Sequence, residues 1–209
     1  MDFRPVLDFL FPPQCAGCNA LGSGLCFACA PAAGEPVRVR LRLMSVTAYG
    51  AYEGALRAAV LALKDGRRDV AEALADRIAP LLPSGTILVP IPTTAKRERV
   101  RGIDGVRLVA QRAADRTGAR LAPALKQLRG DAQRGRSRGE RLAARGRFMC
   151  DADPVKGQQV TLVDDVCTTG ATLEDCQRAV AEAGAIVVGA VVVAATKTAP
   201  AWNPKLLHR

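Results

Sequence analysis

Apolar positions along this chain fall into two rhythms, and their alternation predicts an α/β fold. Residues 37–43 alternate apolar side chains with arginines, as an edge strand does, and residues 45–52 continue as strand or loop. Residues 53–64 and 70–82 carry apolar side chains at three- and four-residue spacing, which predicts two amphipathic helices, the second ending at Pro83. Residues 86–89 form a short strand that enters Pro90-Ile91-Pro92-Thr93-Thr94. Further on, 100–117 reads as helix, 120–128 as a short strand, 129–147 as loop, and 160–196 as strand, helix, strand. This alternation argues for a doubly wound parallel sheet, whose ligands bind beyond the carboxyl ends of the strands. The longest apolar run, 185–195, falls short of the roughly 20 residues a bilayer requires and reads as a buried strand.

One strand end carries chemistry. The run Val160-Thr161-Leu162-Val163 leads into Asp164-Asp165-Val166-Cys167-Thr168-Thr169-Gly170-Ala171-Thr172 and then a helical pattern. Backbone N–H groups from Val166 to Gly170 can converge on an anion at the helix N-terminus, where the helix dipole adds its positive end. Gly170 allows close approach, and the hydroxyls of Thr168, Thr169 and Thr172 can donate further bonds. Two aspartates beside a phosphate would repel it, so they must meet the non-phosphate part of the ligand. A vicinal diol, with or without Mg²⁺, satisfies both. A capped helix after a core strand explains one polar residue, not five in order. Neither a Walker A lysine motif nor G-x-G-x-x-G is present.

The chain has 209 residues, 49% hydrophobic and 24% charged, enough for one α/β domain and a small appendage. Cys15-x-x-Cys18 and Cys26-x-x-Cys29, with Gly17, Gly22 and Gly24 as turn residues, form two short knuckles that would give Zn²⁺ four thiolates. A segment this short buries no core of its own, so metal would supply its folding energy. A redox pair or free thiols is the competing interpretation. The Pro/Ala/Gly stretch 31–36 sets the expected boundary: a zinc knuckle over 1–35, an enzyme-like domain over 36–199 and a tail over 200–209. Asp2, Arg4, Pro5 and Asp8 interrupt the first residues, leaving no secretory h-region, so a cytoplasmic protein without a membrane partner is expected. The only histidine is His208, which argues against Ser-His-Asp and Cys-His chemistry. Cys167 then contributes backbone N–H and a thiol that fills space.

Charge is concentrated. Residues 129–147 hold seven arginines against two acids, net +5, and 96–107 hold five basic residues against two acids, net +3, out of a formal +10. Such a loop can clamp a pyrophosphate through bidentate guanidinium contacts, track a nucleic-acid backbone, or serve only as a solvated surface.

The Asp164 to Thr172 segment resembles the phosphoribosyl pyrophosphate (PRPP) signature of type I phosphoribosyltransferases. That likeness implies that Asp164 and Asp165 hold the ribose hydroxyls and that Val166, Cys167, Thr168, Thr169, Gly170, Ala171 and Thr172 hold the 5′-phosphate. Together with the four-cysteine knuckle, Leu63-Lys64-x-Gly66, Val89-Pro90-Ile91-Pro92, Arg97-x-Arg99-x-Arg101-Gly102 and an arginine-rich loop around Gln133, the chain to about residue 197 resembles the ComF family. The resemblance implies a type I phosphoribosyltransferase-like sheet with a small N-terminal zinc-knuckle subdomain, and a Mg²⁺-dependent PRPP site. It also implies a pyrophosphate-facing loop at 90–94, with Pro92, Thr93, Arg101 and Arg134 toward pyrophosphate, and a loop at 129–147 that closes over the site. Two departures stand out. Arg101-Gly102-Ile103-Asp104-Gly105 replaces the family's usual R-G-F-N-Q, and the usual asparagine near Ala143 is absent.

Two functions follow. One is transfer of a phosphoribosyl group to an unidentified acceptor with pyrophosphate release, Asp164 and Asp165 orienting the ribose and favouring its cationic transition state. The other is a non-catalytic accessory that handles single-stranded DNA in uptake or competence and retains a PRPP pocket. An aromatic content of 4% weakens a stacking platform for the latter.

Overall fold

The structure is a computed structural model that describes residues 12–30, 36–93, 102–128 and 147–199. Strands β1 (Val37–Arg40) and β2 (Ser45–Ala51) are followed by helices α1 (Gly54–Lys64) and α2 (Arg68–Ile78). A 3₁₀ turn, Ala79–Leu81, then leads to β3 (Ile87–Pro90). Helix α3 (Gly105–Thr117), strands β4 (Leu125–Gln127), β5 (Phe148–Cys150) and β6 (Gln159–Cys167), helix α4 (Ala171–Glu182) and β7 (Ile186–Ala195) complete the chain. The main sheet runs β1-β2-β7-β6-β3, parallel except for β1, which pairs antiparallel with β2 at the edge. The expected parallel α/β sheet is therefore present.

Both faces are covered. On one, Leu56, Val60, Leu74, Ile78 and Val109 from α1, α2 and α3 pack over Val163, Val191 and Val193. On the other, Leu173 and Val180 of α4, with Leu125 and Phe148 of the two-stranded β4-β5 sheet, cover Val160, Leu162 and Val192. Complete burial of each such side chain contributes about 1.5–3 kcal/mol. The buried hydroxyls of Thr86 and Thr161 satisfy each other at 2.9 Å. No helix among the described residues is long and apolar enough to cross a membrane.

Several elements are shorter than their patterns predict. Pro80 turns the end of α2 into a 3₁₀ turn. Helix α3 begins at Gly105, because Gly102 adopts φ +69° and Asp104 caps the helix with its carboxylate on the Arg107 N–H at 3.1 Å. Of 120–128, only Leu125–Gln127 is strand; before Pro123, Leu121 merely bridges Leu88. Strand β6, by contrast, runs on through both acids, which therefore sit within the strand rather than after it.

The cysteine knuckle docks on the helical layer. A Cβ on Gly17 would come within 2.6 Å of Ala55 Cβ and 2.9 Å of Cys29 Sγ, and one on Gly24 within 2.6 Å of the Asp69 backbone. These two glycines thus serve close approach to α1 and α2, while Gly22, at φ +109°, is the turn residue. Cys15, Leu25 and Ala30 join the α1–α2 core cluster.

Candidate functional site

A cleft of about 250 Å³ opens at the carboxyl edge of the parallel strands, and the β3–β6 pairing explains it. That ladder stops at Pro90 opposite Val163, with one further bond from Ile91 N–H to the Val163 carbonyl at 2.9 Å. Pro90 and Pro92 have no N–H with which to continue it. Beyond Val163, β6 pairs with β7 alone, so Asp164 and Asp165 stand on a bare strand edge and line the cleft with Pro92, Thr93, Val166 and Thr172. Lys64, Gln127, Arg147 and Phe148 complete its walls.

Consecutive strand residues point to opposite faces, and the two acids find different surroundings. Asp165 Oδ2 pairs with Lys64 Nζ at 3.1 Å. Asp164 is driven well above the usual carboxylate range, first by desolvation and then by the charge of Asp165. Its Oδ1 accepts the Asp165 N–H at 2.8 Å, and Lys64 adds a favourable charge, but neither offsets the burial; Asp104 adds further repulsion. Asp165 is thus compensated by a lysine, whereas burial disfavours the charged form of Asp164. A diol or a hard cation would satisfy both acids.

The loop expected to hold phosphate follows at the end of β6. Helix α4 has Gly170 as its N-cap, at φ +83° and with no side-chain cap bond. Among the described residues, the N–H groups of Thr168, Thr169, Gly170, Thr172 and Leu173 have no protein acceptor. Among the described residues, Thr169 Oγ1 meets only the Ala171 N–H, at 3.5 Å, and Thr172 Oγ1 only Arg147, at 3.4 Å. Cys167 is buried among core side chains, and burial, with Asp164 nearby, pushes its thiol up to about 11, which leaves it a space-filling thiol rather than a nucleophile. The turn between β1 and β2 braces this loop: Arg42 N–H donates to Glu174 Oε1 at 2.9 Å, and a Cβ on Gly170 would come within 2.2 Å of Leu41 Cδ2. Gly170→Ala is therefore expected to cost about 1–2 kcal/mol through its left-handed backbone alone and more through Leu41. Thermal melts of Gly170→Ala, Leu41→Ala and the double variant should show the double less destabilised than the sum of the singles.

Arg147, at the end of the basic stretch, is fixed to α4. Its N–H donates to Asp175 Oδ2 at 2.7 Å, and its guanidinium lies 3.5 Å from the same oxygen. Burial works to raise the Asp175 carboxyl, but the Arg147 N–H and the Arg178 guanidinium outweigh it and hold the group below its ordinary value. Of the residues expected to face pyrophosphate, Pro92 and Thr93 line the cleft, whereas Thr94, Arg101 and Arg134 lie outside the described residues, as does the rest of the loop at 129–146. The departures at 104–105 have local causes. Asp104 caps α3 as asparagine would, and a Cβ on Gly105 would meet Leu63 Cγ at 2.9 Å. Residue-by-residue reading of the sequence missed Lys64 and Gln127 as cleft residues. The motif around Lys64 was visible, but its partner, about 100 residues away in sequence, was not.

The second site is the cysteine cluster. The Sγ atoms of Cys15, Cys18, Cys26 and Cys29 all lie within 4.8 Å of one another. Cys18 and Cys26 are 3.7 Å apart, too far for a disulfide and close to the edge of about 3.8 Å that Zn–S bonds of about 2.3 Å give a tetrahedron. Burial acts to raise the Cys15 thiol, but backbone N–H groups, Cys26 at 3.3 Å and Gly17 at 3.4 Å among them, prevail and bring it to about 6. These four residues can hold a metal ion such as zinc.

Comparison with known proteins places the cleft in context. Residues 104–202 match the family model described as "Phosphoribosyl transferase domain". The chain is 34% identical over 98 residues to Competence protein ComFC of Bacillus subtilis (strain 168), a match covering 47% of this chain and 39% of that protein, so it spans well under half of the relative's length. Similar solved structures include glutamine PRPP amidotransferase from B. subtilis, at 21% identity and TM-score 0.45 over 59% of this chain and 26% of that one. Leishmania donovani UMP synthase is another, at 18% identity and TM-score 0.40 over 68% of this chain and 25% of that one.

Proposed function

We propose that this chain, whose residues 104–202 match a phosphoribosyl transferase domain and which is 34% identical over 98 residues to a competence protein, is a ComF-like protein whose cleft binds PRPP and presents it for phosphoribosyl transfer. One observation carries the proposal: two carboxylates on a strand edge that β3 leaves bare line a cleft with Thr172, the end of a loop whose N–H groups at Thr168, Thr169 and Gly170 have no acceptor among the described residues. The cradle at 168–172 takes the 5′-phosphate, Asp164 and Asp165 the 2′- and 3′-hydroxyls, and Pro92 and Thr93 border the space for pyrophosphate. The domain over 36–199 does this work in the cytoplasm, and the four cysteines hold structural zinc.

The donor set also suits Mg²⁺, which takes hard oxygen ligands such as the Asp164 and Asp165 carboxylates. When bound, Mg²⁺ neutralises charge on the departing pyrophosphate. The two acids orient the ribose and favour positive charge at C1′ as the pyrophosphate bond lengthens and an acceptor attacks from the opposite face. Phe148 and Gln127 stand on the wall of the cleft formed by β4 and β5. The alternative, single-stranded DNA handling, draws on basic stretches of which 94–101 and 129–146 lie outside the described residues.

The test is calorimetric titration of PRPP with Mg²⁺, with ribose 5-phosphate as competitor, followed by pyrophosphate-release assays against nucleobases, amines and single-stranded DNA. PRPP binding that ribose 5-phosphate displaces is the expected result. No binding by folded, zinc-loaded protein overturns it. DNA binding without pyrophosphate release to any acceptor, weakening with salt at a slope of about −0.7 per contacted phosphate, supports the accessory instead.

A further inference from the structure

We propose that Lys64 is a transferable counter-ion. It pairs with Asp165 while the cleft is empty and moves to the pyrophosphate oxygens of the incoming ligand, freeing Asp165 for cation and diol only on loading. The inference rests on the phosphoribosyl reading of the cleft.

Lys64 is the last residue of α1. Its ammonium lies 3.1 Å from Asp165 Oδ2, and the two side chains are 30% and 17% exposed, so the pair faces the cleft rather than the core. The backbone beneath is anchored: Asp65 N–H donates to the Leu61 carbonyl at 2.9 Å, Gly66 turns the chain at φ +93°, and Gly105 of α3 presses on Leu63. Only the flexible four-carbon stem is left to move. The other described cation in the cleft, Arg147, has its guanidinium on Asp175, outside the cleft lining, and on the Thr172 hydroxyl, so Lys64 is the one whose carboxylate partner lines the cleft.

Loading changes what surrounds that ammonium. Asp165 cannot serve Lys64 and a divalent cation without bringing two positive charges together, which costs free energy in a partly desolvated site. The ligand meanwhile brings a pyrophosphate into the cleft that Lys64 lines together with Pro92 and Thr93. An ammonium released from Asp165 finds a more highly charged acceptor there, and the exchange keeps every charge partnered. The empty cleft is thereby protected from a cation arriving alone, because Lys64 already occupies the carboxylate.

The two halves of the exchange predict opposite signs for one substitution. Affinity for Mn²⁺ alone, read by electron paramagnetic resonance without PRPP, and affinity for PRPP at saturating Mg²⁺, read by calorimetry, are compared in wild type, Lys64→Ala, Lys64→Gln and Lys64→Arg. Lys64→Ala and Lys64→Gln should bind Mn²⁺ alone at least about fivefold more tightly, and PRPP about tenfold more weakly, the loss of one charge-assisted contact. Lys64→Arg should stay within about threefold of wild type in both. Melting curves identify any variant that fails to fold, and either neutral variant suffices. Affinities that fall together, or a Mn²⁺ affinity that does not rise, make Lys64 a fixed structural partner and overturn the proposal. If wild type binds PRPP and the neutral variants bind it equally well, the Lys64 role fails while the cleft assignment stands. If wild type ignores PRPP, the cleft assignment fails and the transfer with it.

Discussion

Replacing Asp164 and Asp165 together by asparagine is expected to weaken PRPP binding in the presence of Mg²⁺ by at least roughly tenfold, the consequence of losing charge-assisted hydrogen bonds of about 1.5–3 kcal/mol. The fold should survive, because neither carboxylate supports the core; they stand on the strand edge that β3 leaves bare. The single variants should part company in stability. Desolvation and the neighbouring Asp165 raise the Asp164 carboxyl in the folded protein, so between the unfolded value near 3.9 and the raised folded value the native state binds more protons than the unfolded chain. Stability attributable to this group therefore falls as pH rises through that window, and the loss is complete above the folded value. Asp164→Asn removes the loss, so its gain over wild type should be absent below about pH 4 and largest at alkaline pH. Asp165→Asn leaves the Lys64 ammonium without its partner and gives no such gain. Melting curves at pH 4, 6 and 8, paired with PRPP titrations, test both halves. Unchanged PRPP affinity in the double variant would make these acids structural, and the phosphoribosyl assignment would fail.

How much of this was legible in the sequence depends on how local each feature is. The strands and helices that bear the cleft follow from apolar periodicity, and the Asp-Asp-to-Thr-Gly segment is contiguous, so its constellation could be read before any fold was known. The four cysteines carry their geometry in their spacing. What resisted was tertiary. Gly17 and Gly24 look like turn residues but owe their identity to Ala55 and Asp69 of α1 and α2. Gly105 looks like a lost family residue but is pressed against Leu63. The pattern overran the start of α3 because the apolar spacing gives no warning of a left-handed Gly102 or of an Asp104 cap. Strand β5, three residues long, has too little sequence to announce itself and exists through pairing with β4. Lys64 belongs to the cleft only because α1 ends above the carboxyl edge of β6, which no window along the chain contains.

Removing metal from the cysteine cluster should have the largest effect on stability. Protein purified without added metal is expected to carry near-stoichiometric zinc, and a strong chelator, or Cys15→Ser, should lower the melting temperature. The knuckle buries no core of its own, so its hold on α1 and α2 depends on the tetrahedral site. Loss of the site releases Leu25, 1% exposed, and Ala30, 7% exposed, from the cluster that contains Leu56, Leu63 and Leu74. Exposing Leu25 alone removes about 1.5–3 kcal/mol. In a domain of this size each kcal/mol shifts the midpoint by about 2–4 °C, so a fall of at least about 5 °C is expected, larger if α1 loosens. Because α1 ends in Lys64, the same treatment should also weaken PRPP binding, linking a structural metal to a cleft at the far end of that helix. Cys150→Ser and Cys176→Ser provide the control. Both residues lie with α4 on the opposite face of the sheet, and their loss should leave zinc content unchanged. Metal-free protein that melts with wild-type stability would show that the four thiols need no ion and that Gly17, Gly24 and Leu25 hold the knuckle unaided.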